Sequence, residues 1–168
     1  MKSRRQRKSQ LSDQGPVDAL PEKVRAVALG LLARREHSRL ELRHKLAQRG
    51  FAPALIEAVL ERLGAEDLLS DARFAEVYAY SRADRGYGPA RIAMELRGRG
   101  VSQEIIAGIL EGLDEVWMPK LVELHRKRFA ALLPREGAGR ARQIGFLRQR
   151  GFTLEQIKRL FRNEQDDQ

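Results

Sequence analysis

The chain has 168 residues, 33% of them charged and 42% hydrophobic, and carries a formal net charge of +9 with a pI near 10.4. That is a soluble chain of one or two domains, or a short repeat array. Its excess of cations favours nucleic acid, a nucleoprotein or an acidic protein surface as partner, a merely solvated basic surface being the plain alternative. The absence of cysteine excludes disulfides, thiolate metal sites and a cysteine nucleophile.

The first stretch, 1–17, is polar and dense in Lys2, Arg4, Arg5, Arg7 and Lys8, and reads as a disordered basic tail. It lacks the apolar centre of a signal peptide, and no apolar run approaches membrane-spanning length, so a cytoplasmic location with no membrane contact is expected. Order is expected from residue 18. Val24, Val27, Ala28, Leu31 and Leu32 make a helical stripe, and Ser38 with Glu41 is a capping-box pair that starts a second helix closed by Gly50. Pro53 opens a third, with Leu55, Ile56, Val59, Leu60 and Leu63 apolar and Gly64 as its stop. These three helices form a first unit, 18–64.

The second unit, 65–114, opens with Ser70 as N-cap, and Phe74, Val77, Tyr78 and Ser81 form the expected inward stripe. Gly86-Tyr87-Gly88-Pro89 is a corner. The next helix turns Ile92 and Leu96 inward and ends at Gly100, and Ser102 caps a helix whose stripe is Ile105, Ile106, Ile109, Leu110 and Leu113. The third unit, 115–163, is expected to start near Trp117-Met118-Pro119. Leu121, Val122, Leu124, Phe129, Leu132 and Leu133 are its first apolar set and Pro134 to Gly139 its corner. Its middle helix carries Ile144 and Leu147 to Gly151, and a Thr153–Gln156 capping box precedes Ile157, Leu160 and Phe161. Residues 164–168 read as a short acidic frayed tail. No stretch alternates apolar and polar residues as a strand would, so the chain is expected to be all-α.

Superposed, the units show a period of about 50 residues. Leu46, Leu96 and Leu147 correspond, as do Arg49, Arg99 and Arg150, then Gly50, Gly100 and Gly151, and later Ile56, Ile106 and Ile157. The repeated phrase is Leu-x-x-Arg-Gly followed by Phe or Val. Three stacked units of this kind make an elongated, curved right-handed array of three tandem three-helix repeats.

No constellation for catalysis, metal or cofactor is present, and an enzyme is not expected. His37, His44 and His125 have no partners at metal or triad spacing, and His44 and His125 are expected on solvated faces. A helix-turn-helix reader of DNA would expose basic or amide side chains on each third helix. The first unit instead exposes Glu57 and Glu61 there, and the second Glu104 and Glu111; only the last, with Lys158, Arg159 and Arg162, is suitable. The cations gather on the middle helices and the corner. The candidate binding residues are therefore Arg39, Arg43 and Arg49; Arg82, Arg85, Tyr87, Arg91, Arg97 and Arg99; and Arg140, Arg142, Arg148 and Arg150. Tyr87 is divided between corner packing and partner contact.

Ser70-Asp71-Ala72-Arg73-Phe74-Ala75-Glu76 followed by Arg85-Gly86-Tyr87-Gly88-Pro89 resembles the signature of the RecX regulatory proteins, and Leu31 to Ser38 with Glu41, Leu42 and Leu46 resembles that family's first repeat. The likeness spans about Val24 to Phe161 and is loose over the third unit. It implies a bacterial cytoplasmic regulator that binds in the groove of the RecA–DNA filament and inhibits its ATPase, strand-exchange and coprotease activities. Weak direct DNA binding belongs to the same implication; a monomer with no cofactor is expected. A sequence-independent DNA-binding repeat protein and an adaptor for an acidic protein are the rivals.

Overall fold

The structure, a computed structural model, describes residues 19–130 and 137–166. The basic tail expected over 1–17 lies outside them, as do Leu132, Leu133, residues 134–136 of the third corner, and 167–168. Among the described residues there are nine helices and no strand: α1 (Ala19–Leu32), α2 (Arg39–Ala47), α3 (Pro53–Ala65), α4 (Asp71–Asp84), α5 (Pro89–Gly98), α6 (Gln103–Gly112), α7 (Asp114–Phe129), α8 (Ala138–Gln149) and α9 (Leu154–Asp166). They build three hydrophobic cores rather than one.

In the first core Val24, Ala28 and Leu31 meet Leu42 and Leu46 of α2 and Ile56, Val59, Leu60 and Leu63 of α3. The Ser38 hydroxyl accepts from the Glu41 amide at 3.1 Å, which fixes the start of α2. The reciprocal half of the expected capping box is not made, because the Glu41 carboxylate is drawn to Arg35 and Arg99 instead. Gly64 does not stop α3. The helix runs to Ala65, and the chain turns at Asp67, φ +55°.

The second core departs from the expected pattern on α4. Phe74 is buried with Ala75, Ala79 and Ala83, while Val77 is 58% exposed and Ser81 is exposed too. Three alanines on one face allow the close approach of α6, and the helix rotates to present them, leaving its larger β-branched residue outside. Ile92, Ala93 and Leu96 of α5 and Ile106 of α6 complete this core.

The first helix of the third unit starts about one turn before the expected Trp117. α7 starts at Asp114, with Leu113 as the single residue between it and α6. Trp117 is buried in the second core and donates from its indole N–H to the Leu110 carbonyl at 3.4 Å, whereas Leu121, one turn on, belongs to the third. One helix is thus shared by two cores, packing on α4 and α6 at its start and on α9 further along. His125 is not solvated: it is fully buried, bonded to the Gln143 side-chain oxygen at 2.9 Å and flanked by Phe129 and Phe161. The fourfold spacing of Trp117, Leu121 and His125 puts all three on one stripe, and a buried imidazole there must be hydrogen-bonded. The Thr153–Gln156 capping box is reciprocal, at 3.0 and 3.2 Å. Gly139 lies inside α8, and α9 is continuous to Asp166, into the stretch expected to fray.

Candidate functional site

The middle helices of the three units are joined end to end. At the first joint the start of α2 meets the closing turn of α5: the Ser38 hydroxyl donates to the Arg99 carbonyl at 2.7 Å, and the Arg39 amide donates to the Asp71 carboxylate at 2.7 Å. Glu41 pairs with the Arg99 guanidinium. Gly100, at φ +79°, lies so close to α2 that a methyl on it would come within 2.8 Å of Leu40 Cβ.

The second joint repeats this one period later. Where Ser38 stood, Gly88 donates its amide to the Arg150 carbonyl at 2.8 Å, and Ala90, the counterpart of Leu40, donates to the Gly151 carbonyl at 3.0 Å. A methyl on Gly88 would lie 2.5 Å from Gly151 backbone atoms, and one on Gly151 would lie 2.4 Å from Arg91 Cβ. Helix ends leave amides and carbonyls without intrahelical partners, and each joint sets the amide end of one helix against the carbonyl end of the next. The opposed ends of the two helix dipoles also attract. The consequence is one line, α2–α5–α8, built from the helices that carry the arginines.

Around the second joint sits a charged hub. Glu95 accepts from Tyr78 at 2.8 Å, from Arg82 at 2.7 and 2.5 Å, and from Arg91 at 3.1 Å. Burial pushes the Glu95 carboxyl up, but the hydrogen bonds from Arg82, Tyr78 and Arg91 outweigh it and hold the group below the ordinary carboxylate range. Glu41 behaves alike: burial raises it, and Arg35 and Arg99 bring it lower overall. The Tyr87 ring is clamped by Arg82 at 3.7 Å, Arg150 at 5.1 Å and Arg91 at 5.3 Å from its centre. Tyr87 thus packs at the corner between the second and third units. His37 is buried beside the first joint, its Nδ1–H donating to the Arg35 carbonyl at 3.0 Å, and burial lowers its pKa.

The candidate arginines fall into two groups. Arg39 pairs with Glu61 at 2.6 Å and Arg43 chelates Glu57 at 2.5 and 2.9 Å. Arg82 and Arg91 share Glu95, and Arg99 lies over Tyr78 while bonded to Glu41. Arg140 lies over Phe161, and Arg150 between Tyr87 and Phe146. These seven have partners within the fold. Arg49, Arg85, Arg97, Arg142 and Arg148 are exposed and have no carboxylate partner among the described residues, Arg97 making one 3.4 Å contact to Gln103. The residues that sequence reasoning missed are acceptors and spacers: Glu95, Glu41, Asp71, Gly88 and the buried alanines. The in-register match of Ser38 with Gly88 and of Gly100 with Gly151 is the one signal that would have found the joints.

Comparison with known proteins places this architecture. A family model described as RecX, first three-helix domain, matches residues 25–63, and one described as RecX, second three-helix domain, matches 70–110. The regulatory protein RecX of Halorhodospira halophila is 47% identical over 140 residues, 83% of this chain and 87% of that one. The chain belongs to the RecX family. The regulatory protein RecX of Pseudomonas syringae pv. tomato is likewise 47% identical, over 83% of this chain and 90% of its own. The crystal structure of RecX from Lactobacillus salivarius superposes with a TM-score of 0.76 at 21% identity, covering 89% of this chain and 99% of that one. A second crystal structure of a regulatory protein RecX gives 0.68 at 19% identity, over 84% of this chain and 71% of the other, and both show the RecX fold. The matched domains coincide with α1–α3 and α4–α6, the two units whose middle helices form the first joint.

Proposed function

We propose that this chain is an inhibitory regulator of the RecA recombinase that binds in the groove of the RecA–DNA filament and modulates its ATPase, strand-exchange and coprotease activities. In this reading it acts as a cytoplasmic monomer, without catalysis or cofactor of its own, and binds DNA directly only weakly. The observation that supports it is the line of three middle helices, joined at equivalent positions, with Arg97 and Arg148 exposed at the same position of the second and third units and Arg49, Arg85 and Arg142 exposed near them in sequence. A periodic surface suits a periodic partner. Each contact with one protomer is weak, and the next gains from the effective concentration that the first creates. Membership of a family whose relatives are named regulatory proteins agrees with this.

The ion-pair pattern decides which arginines test it. Reversing Arg91 or Arg99 would break a joint, so the informative variant is Arg85→Glu, Arg97→Glu, Arg142→Glu and Arg148→Glu together, all exposed. Filament binding at moderate salt should weaken by about tenfold or more, because steering and rim attraction are both reversed. The matched set of lysine replacements should bind nearly as well as the parent. Unchanged co-sedimentation of the glutamate variant with filaments would refute the role of this surface.

A further inference from the structure

The third unit reverses the sign of a face that the first unit keeps acidic. Aligning Ile56, Ile106 and Ile157 places Lys158 at the position of Glu57 and Ala107, and Arg162 at that of Glu61 and Glu111. In the first unit those two carboxylates neutralise the middle helix, Glu57 holding Arg43 and Glu61 holding Arg39. In the third unit the same two positions of α9 carry cations, and Arg159 stands beside them. All three are exposed, and among the described residues none is paired with a carboxylate. Glu155, on the first turn of the same face, forms no ion pair with them among the described residues. The opposite face is fixed by Ile157, Leu160 and Phe161 in the third core, so the cations cannot turn inward.

Lys158 and Arg162 are four residues apart, a like-charge pair that disfavours the helix by a few tenths of a kcal/mol. A helix that keeps such a pair, one turn or about 6 Å apart along its axis, with Arg159 between, offers a row of cations to a polyanion. An acidic protein is the poorer occupant, because a protein interface needs apolar or aromatic anchors at its centre. The second unit exposes Val77, Tyr80 and Met94, whereas among the described residues of the third Leu154 is the sole exposed large apolar side chain. Backbone phosphates need only lysine and arginine. Gln156, the amide that could read a base, is tied to Thr153 in the capping box.

We propose that the solvent face of α9, with Lys158, Arg159 and Arg162, is a phosphodiester-binding surface that holds nucleic acid without reading its sequence. The assignment deepens the filament reading and rests on it for its setting: the third unit touches the DNA of the filament, and the second faces protein. The test needs no recombinase. Binding of fluorescent single-stranded and duplex oligonucleotides is measured by anisotropy over a salt series. The parent full-length chain is compared with Lys158→Ala/Arg159→Ala/Arg162→Ala and with a charge-matched control, Lys23→Ala/Arg34→Ala/Lys45→Ala, drawn from cations of the first unit that have no carboxylate partner among the described residues.

The α9 variant should lose at least tenfold in affinity. Its slope of log affinity against log salt should flatten by about 2 to 3 on duplex, at roughly 0.9 per phosphate contact. The control should change by less than about threefold, and unaltered far-ultraviolet circular dichroism should attest folding of both. Equal losses in the two variants, an unchanged α9 variant, or a parent with no measurable affinity for either oligonucleotide would each overturn the proposal. Localised DNA binding together with no effect on recombinase would leave this surface standing and defeat the filament reading, so the two failures are distinguishable.

Discussion

Gly151→Ala should destabilise the chain by about 3 kcal/mol, the sum of left-handed strain of roughly 1–2 and overpacking of roughly 1–3 kcal/mol. Gly151 sits at φ +94°, and an added methyl would meet the Arg91 Cβ and backbone at 2.4 and 2.6 Å. Two other glycines separate the two contributions. Gly50 has φ +83° with nothing within 4 Å of the added methyl, so Gly50→Ala should show only the strain, about 1 kcal/mol. Gly88 has an ordinary φ of −90° but would strike Gly151 backbone atoms at 2.5 Å, so Gly88→Ala should show only the clash, about 2 kcal/mol. Backbone cannot rotate away as a side chain does. Urea denaturation of the three variants gives the order Gly50, Gly88, Gly151. With separate cores on each side of the joint, the Gly151 variant should also unfold in two resolved steps as its third unit uncouples. Equal losses at Gly50 and Gly151 would mean that the joint does not form.

Glu95→Gln should cost about 2 kcal/mol at neutral pH. It removes the one carboxylate shared by Tyr78, Arg82 and Arg91, and hydrogen bonds to a charged group contribute about 1.5–3 kcal/mol each. Breaking a fully buried pair costs more. Here Arg82 and Glu95 keep 17% and 16% of their side-chain surface, so water recovers part of the loss. The pH dependence follows from the sign of the shift. The folded-state pKa of Glu95 is depressed, so its contribution is fully present above the ordinary glutamate value of about 4.3 and disappears as pH falls through the lower folded value. The gap between parent and variant, measured by urea denaturation, should therefore be widest near neutrality and close in acid. A gap that is constant across that range would show that Glu95 contributes shape rather than charge.

Much of the fold was legible because it rests on local chemistry. Ser38, Ser70, Ser102 and Thr153 announce helix starts through hydroxyls that cap amides, and the Arg-Gly phrase marks three helix ends. What failed were choices between two apolar faces, or between two cores, that only packing decides. α4 buries alanines and exposes Val77 because close approach to α6 gains more than one β-branched side chain. α7 begins three residues before Trp117 because the indole belongs to the preceding core, and this same stripe carries His125 inside.

The arginines were found as a set, but their roles could not be separated by position alone. Arg43 and Arg148 look alike in sequence, yet one is chelated by Glu57 and the other is exposed with no carboxylate partner among the described residues. Pairing can depend on residues far along the chain, 58 positions away for Arg99 and Glu41 across the first joint. The repeat supplies the missing rule: compare the same position in each unit, and ask which carries the counter-charge.

The most direct measurement of the central claim is DNA-dependent ATP hydrolysis by RecA while this protein is titrated in at fixed DNA and moderate salt. A chain that lies along the filament and touches several protomers should inhibit at stoichiometries well below those that saturate the DNA, and its Arg85/Arg97/Arg142/Arg148 glutamate variant should require about tenfold more. Hydrolysis that stays unaffected until the DNA itself is covered would contradict the account and leave a DNA-binding repeat protein in its place.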